Sequence, residues 1–124
     1  MGSNPRIGGH TMTTFHVDVC PTRERTIIRV VGELDLDTRP QVTHATSTLN
    51  LTGRTLVMDL TRMTFIDSTG LTMLILLRRR AHAEGWQLQL HNAPAQALHV
   101  LDLTGTREIF TLTHPTTDER QTAI

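Results

Sequence analysis

Between Leu56 and Arg80 the chain reads LVMDLTRMTFIDSTGLTMLILLRRR, and few folds accommodate that succession. Leu56–Leu60 is a continuous apolar run of strand length, the pattern of a strand buried on both faces of a parallel sheet. A short polar connection leads to a second apolar step that ends at Ile66. Asp67-Ser68-Thr69-Gly70 follows, and from Leu71 the apolar residues recur at helical spacing. A strand that delivers directly into a helix is half of a crossover unit, which implies a sheet with helices laid on it.

The rest of the chain fits the same layering. Phe15–Val19 alternates weakly, as an edge strand does, and Pro21 with Arg23-Glu24-Arg25 makes a turn. Thr26–Leu34 is rich in β-branched residues. It places Ile28 and Val30 on one face and Ile27 and Val31 on the other, which predicts a strand covered on both sides. Thr38 with Gln41 three residues on has capping-box spacing, and Pro40 is tolerated in a first turn. Val42, Ala45 and Leu49 then carry a helical stripe until Asn50 and Gly53. The helix after Ser68 runs to about Ala83, with Gly85 as its stop. Gln87–His91 alternates as a strand, Ala95–Leu103 is a helix with Leu98 and Leu101 inward, and Ile109–Leu112 reads as a last strand. Thr116 and Glu119 repeat the capping-box spacing and predict a short terminal helix. The expected fold is α/β, with helices on a mixed sheet.

At 124 residues the chain is one domain with one core. Residues 1–11 are polar and Gly-rich and precede Met12, so they are read as an expression-derived leader. Twelve basic and twelve acidic residues cancel, which argues against the basic footprint of a nucleic-acid binder. Cys20 is the single cysteine, and the seven His lack metal-ligand spacing, so neither a disulfide nor a metal site is expected. The longest apolar run, Leu71–Leu77, falls well short of the roughly 18–20 residues that span a bilayer. A cytoplasmic location is the default.

On the helix after Ser68, Leu71, Leu74 and Ile75 share the face that packs on the sheet. Met73 and Leu76 fall nearly opposite, with Arg80. Either a neighbouring helix covers them or they form a partner-docking patch. Arg78-Arg79-Arg80 reads as a solvated helix end favoured by the dipole.

Ser68 admits several roles. Asp67 or Ser68 can cap the helix by accepting a first-turn N–H. A catalytic serine at a strand–turn–helix corner is a second role, but the G-x-S-x-G elbow is absent and no relay is placed by spacing. A phosphoacceptor is the third, since a helix N-terminus tolerates added negative charge.

Gly32-Glu33-Leu34-Asp35, Met58-Asp59-Leu60 and the run Thr64-Phe65-Ile66-Asp67-Ser68-Thr69-Gly70-Leu71 together resemble the STAS domain, and more closely its bacterial anti-sigma-factor antagonists. The likeness extends over residues 12–124, in element order as well as motif. It implies a single STAS-like domain, with a four- to five-stranded mixed sheet, helices on one side and no cofactor. It also implies partner switching, in which the unphosphorylated antagonist binds an anti-sigma factor that is a serine kinase and so releases a sigma factor. Phosphorylation of the residue matching Ser68 ends that binding, and a phosphatase restores it. On this carry-over Ser68 is the phosphoacceptor, Asp35 lies near it in the docking surface, and Asp67 shapes the loop. Thr69 and Gly70 let the backbone turn into the helix, and Met73 and Leu76 complete the partner-binding face. The family also contains unphosphorylated subunits of transport or stress-signalling complexes, the alternative role. Thr69 stands where a second serine is commoner, and Thr72-Met73 where small residues are frequent.

Overall fold

Six strands form one mixed sheet in the order β1-β2-β3-β5-β6, with β4 also paired to β2. The computed structural model describes residues 15–115. The expected leader and the helix expected from Thr116 lie outside them. The elements are β1 (His16–Pro21), β2 (Arg25–Leu34), α1 (Arg39–Ser47), β3 (Thr55–Asp59), β4 (Met63–Ile66), α2 (Ser68–Glu84), β5 (Gln87–His91), α3 (Ala95–Thr104) and β6 (Thr111–Thr113). Only β1 runs antiparallel to its neighbour; every other pairing is parallel. The sheet exceeds the expected four to five strands because the apolar step before Asp67 is a strand of its own, paired to the far end of β2.

Register explains where the core lies. Ile28, Met58 and Leu90 are aligned across β2, β3 and β5, as are Thr26, Leu56 and Leu88, and all six are buried. Each successive parallel crossover steps in the same direction across the sheet. Right-handed connections therefore lay α1, α2 and α3 on that one face. The opposite face carries Ile27, Arg29, Val31 and Gln89, of which Arg29 is exposed and the others half-buried. Arg29 there donates to Cys20 Sγ and lies 3.7 Å from Asp59. β2 is thus covered on one side only, contrary to its two-faced apolar pattern, while β3 is buried on both faces as expected.

Helix α1 starts at Thr38 without the capping box. The Thr38 hydroxyl turns back to donate to Glu33 O (2.6 Å), and Gln41 is exposed. The helix stops at Ser47, before Asn50, and buries Val42 and Thr46, whereas the stripe expected from sequence runs through Ala45 and Leu49. At the other end of the chain, Arg107–Ile109 form a single 3₁₀ turn and β6 begins only at Thr111, two residues later than the pattern indicates.

Helix α2 is where packing departs most from the helical wheel. Leu71 and Leu74 face the sheet as expected, but Met73 is also buried, at 4% exposure. Helix α1 lies alongside and its residues share a groove with Met73, so of the two readings of that face cover by a neighbouring helix is the one that holds for Met73. Leu76, at 53% exposure, does face outward. The arginine triplet is not simply solvated. Arg80 donates to Thr46 O (2.8 Å) in the last turn of α1 and to Leu49 O (3.0 Å) just beyond it, and its guanidinium lies 5.5 Å from the Trp86 ring centroid. Arg78 donates to Ile109 O (2.6 Å), and Arg79 is exposed.

Substitution Arg80→Lys removes the fork that reaches two carbonyls at once. It should lower the unfolding free energy by about 1–2 kcal/mol, against less than ~0.5 kcal/mol for Arg79→Lys. Urea denaturation of the two variants checks the difference.

Candidate functional site

The site is built where β2 ends, β4 ends and α2 begins. Gly32 has φ 103°, and the β2–β4 register shifts between Gly32 and Glu33. Such a bulge bends a strand and re-aims the residues beyond it. Leu34 then pairs with Ile66, and Asp67 N donates to Leu34 O at 3.3 Å. Gly70 sits in the first turn of α2 against the same carbonyl. A Cβ placed there would lie 2.5 Å from Leu34 O and 2.8 Å from Ile66 Cγ1. Glycine is required by close approach rather than by an unusual φ.

Asp67 is the N-cap. Its backbone is extended, and its Oδ1 accepts from Gly70 N (3.0 Å) and from the Thr69 hydroxyl (2.6 Å). Partial burial pushes the carboxyl up, but the hydrogen bonds from the Thr69 hydroxyl and the first-turn backbone outweigh it and hold the group below its ordinary value. Ser68 is therefore released from capping. It occupies the first helical position, is exposed, and its Oγ bonds to no side chain among the described residues. Its carbonyl accepts from Thr72 Oγ1 (2.9 Å), which holds the backbone in place. No His–Ser relay is assembled here among the described residues, so the hydrolase arrangement has no geometric support.

The "GELD" turn is brought beside this corner through Leu34. Asp35 Oδ1 accepts the N–H groups of Asp37 (3.0 Å) and Thr38 (3.1 Å), an Asx turn that leads into α1. Two exposed apolar residues that sequence reasoning missed flank the corner. Leu36 follows Asp35 and is 59% exposed, and Phe65 precedes Ile66 and is 40% exposed. Phe65 breaks strand alternation, with Met63 and Ile66 buried and the two residues between them exposed, so alternation read from the sequence would have placed it inward with Met63. Gln96 had no local signal either. From α3 its amide accepts from Ile66 N and donates to Ile66 O, both at 2.9 Å, completing the unpaired edge of β4 just before the cap. Leu76 lies two turns along α2, about 12 Å from Ser68 by helical rise. Asp35, Asp67, Ser68, Thr69 and Gly70 thus meet at one corner, whereas Met73 and Leu76 belong to the flank of the helix.

Gly70→Ala forces a Cβ into backbone and should destabilise the fold by about 1–3 kcal/mol, read from the shift of the denaturation midpoint. Asp67→Asn should cost about 1 kcal/mol at neutral pH through the weakened cap. Because the folded-state pKa of Asp67 is depressed, its contribution is complete above the ordinary carboxylate value and fades as pH falls through the lower folded value. The stability curves of the two proteins should converge on acidification below about pH 4.

Comparison with known proteins gives concordant results. The sequence profile described as Mlab, STAS domain matches residues 17–112. A STAS-domain containing protein of Pseudomonas aeruginosa is 30% identical over 83 residues, which are 67% of this chain and 82% of that protein. An anti-sigma factor antagonist from Mycobacterium paratuberculosis superposes with a TM-score of 0.68 at 25% identity, over 90% of this chain and 94% of that one. The Bacillus protein SpoIIAA in its phosphorylated form superposes at 0.62 with 26% identity, over 89% and 98% of the two chains.

Proposed function

This chain belongs to the STAS domain family, and from that premise we propose that it is an anti-sigma-factor antagonist whose binding is switched by phosphorylation of Ser68. The observation that carries the reading is the division of labour between adjacent hydroxyls. Thr69 donates to Asp67 at 2.6 Å, while Ser68 stands exposed on the first turn of a 17-residue helix, its hydroxyl without a side-chain partner among the described residues. A kinase needs a hydroxyl that can leave its resting contacts, and only Ser68 of the pair offers one.

The physical consequence of phosphorylation is a change of charge at fixed shape. A phosphate brings about −1.5 to −2 charges. The helix N-terminus offsets part of that charge inside the free protein. Asp67 and Asp35 stand beside it, so the added charge accumulates on the face a partner must approach. In this reading the unmodified protein docks an anti-sigma factor with serine kinase activity through Asp35, Asp67, the corner shaped by Thr69 and Gly70, and the α2 flank carrying Leu76 above Met73. Leu36 and Phe65 add apolar contact. Docking frees a sigma factor, the kinase ends docking by modifying Ser68, and a phosphatase restores it. The protein is a binding component rather than an enzyme and works in the cytoplasm, without contacting nucleic acid itself. Among the described residues no helix is long and apolar enough to cross a membrane.

Incubation with a cognate anti-sigma kinase and ATP should add one phosphate, abolished by Ser68→Ala and retained in Thr69→Val. Ser68→Asp should weaken binding to that kinase at least about tenfold. Label that persists in Ser68→Ala would overturn the assignment. A protein that is never labelled and co-purifies with a membrane ATPase or permease would instead be an unphosphorylated STAS subunit of a transport or stress-signalling complex.

A further inference from the structure

β3 and β4 lie end to end along one side of β2, β3 against Arg25–Arg29 and β4 against Gly32–Leu34. β5 borders β3, but its pairing stops at His91, opposite Asp59. Among the described residues no strand continues beside β4, so the edge of β4 away from β2 lacks a ladder partner. Asp67 N is directed to β2, where it donates to Leu34 O, whereas Ile66 N and O point the other way. Ile66 is only 3% exposed, so water has little access to those two groups. A buried peptide group left unpaired is costly.

Gln96 stands where the missing strand residue would be. A carboxamide carries the acceptor and the donor of a peptide group, and this one meets Ile66 N and Ile66 O with two bonds of 2.9 Å. It reaches from the first turn of α3, a helix anchored by the buried Ala97 and Leu101. The residue it holds adjoins the Asp67 cap, and Ile66 Cγ1 lies 2.8 Å from where a Cβ on Gly70 would stand. Ile66 thus bears on the chain immediately before Ser68 and two positions after it. The Ser68 hydroxyl has no side-chain partner of its own among the described residues, so its position is inherited from this backbone.

We propose that Gln96 is a positioning residue for phosphorylation of Ser68, acting through Ile66 to hold the acceptor oxygen in line for attack. The inference rests on the phosphoacceptor reading above and adds to it the residue that sets its geometry. In the transfer Ser68 Oγ bonds to the γ-phosphorus of ATP, the bond to the bridging oxygen breaks to release ADP, and the hydroxyl proton passes to a base on the kinase. A displacement of about 1 Å in a reacting atom can slow such a step about a hundredfold. α3 thereby takes part in the switch without touching the serine.

Two substitutions separate positioning from bulk. Gln96→Met keeps the length of the side chain and removes both bonds. Gln96→Glu turns a carboxylate lone pair on Ile66 O, but its protonated form regains the donor and acceptor of the natural amide. The purified full chain is incubated with a cognate anti-sigma kinase and ATP, at a temperature where circular dichroism shows each variant folded. Gln96→Met should lower kcat for labelling of Ser68 at least about tenfold and leave KM within about threefold. The rate for Gln96→Glu, relative to the natural protein at the same pH, should recover as pH is lowered from about 8 to about 6, because a carboxyl shielded from water and facing a carbonyl protonates above its ordinary value. Without kinase, exchange of the Ile66 N–H read by NMR should quicken at least about tenfold in Gln96→Met. Natural kcat or natural Ile66 exchange in Gln96→Met would overturn the proposal while leaving Ser68 as the acceptor. So would a loss in Gln96→Glu that is equal at every pH. Natural labelling with concentration-dependent association in sedimentation would also overturn it, because Gln96 would then be a guard against strand pairing at the β4 edge. A natural protein that takes no label at Ser68 would overturn the phosphoacceptor reading and the proposal together.

Discussion

The approach of the first turn of α2 to the last carbonyl of β2 is the contact on which the rest of the molecule depends. Gly70 lies where any Cβ would stand 2.5 Å from Leu34 O. That same carbonyl also accepts the Asp67 N–H. One peptide group therefore ties the end of β2 to both the strand that precedes the helix and the helix itself. The "GELD" turn leaves from this point on one side and the "DSTG" cap on the other. Their proximity is a property of the backbone, and side chains inherit it. Burial of Leu71, Met73, Leu74 and Leu77 then holds α2 down, at roughly 1.5–3 kcal/mol for each large apolar side chain removed from water.

On the proposed reading, capping and switching are separated by one residue. Had Ser68 accepted the Gly70 N–H, modification would have broken the cap and loosened the helix. Asp67 performs that task with a carboxylate, strengthened by Thr69, and Ser68 is left one position inside the helix with its hydroxyl outward. Charge can then be added to the surface while the hydrogen bonds that define the corner stay in place. A rigid corner is what a charge-operated binding switch needs. If the corner melted, loss of affinity would come with loss of stability, and a phosphatase could not simply restore it. Gln96 serves the same rigidity from a distance, by closing the polar edge of β4.

Much of this is legible along the chain. Asp67 before Ser68, a glycine two positions after it and an apolar helix beyond are local signals, and they locate the cap and the start of α2. The strands from Gln87 and around Leu56 are equally plain from alternation or from a continuous apolar run. Misreadings arise where one element meets another far along the chain. Met73 looks outward on a helical wheel because a wheel carries no neighbour, and α1 covers it. Arg80 looks like a solvated cation because its partners, the carbonyls of Thr46 and Leu49, are more than thirty positions away. Thr38 and Gln41 have capping-box spacing, yet the Thr38 hydroxyl finds the closer carbonyl of Glu33.

The sequence alone determined the order of elements, the α/β class, the place where a helix begins at a serine, and the likeness of "GELD" and "FIDSTGL" to one family. These rest on periodicity, capping and backbone preference, which act over a few residues. Tertiary structure decided which side of each element meets a neighbour. It left one face of β2 open, buried Met73, bonded Arg80 to carbonyls at the end of another helix, and exposed Leu36, Phe65 and Leu76 around and beyond Ser68. The reason is physical. An apolar or cationic side chain has no preferred partner until sheet register and crossover handedness bring one within reach, and both are settled by pairing between residues distant in the chain.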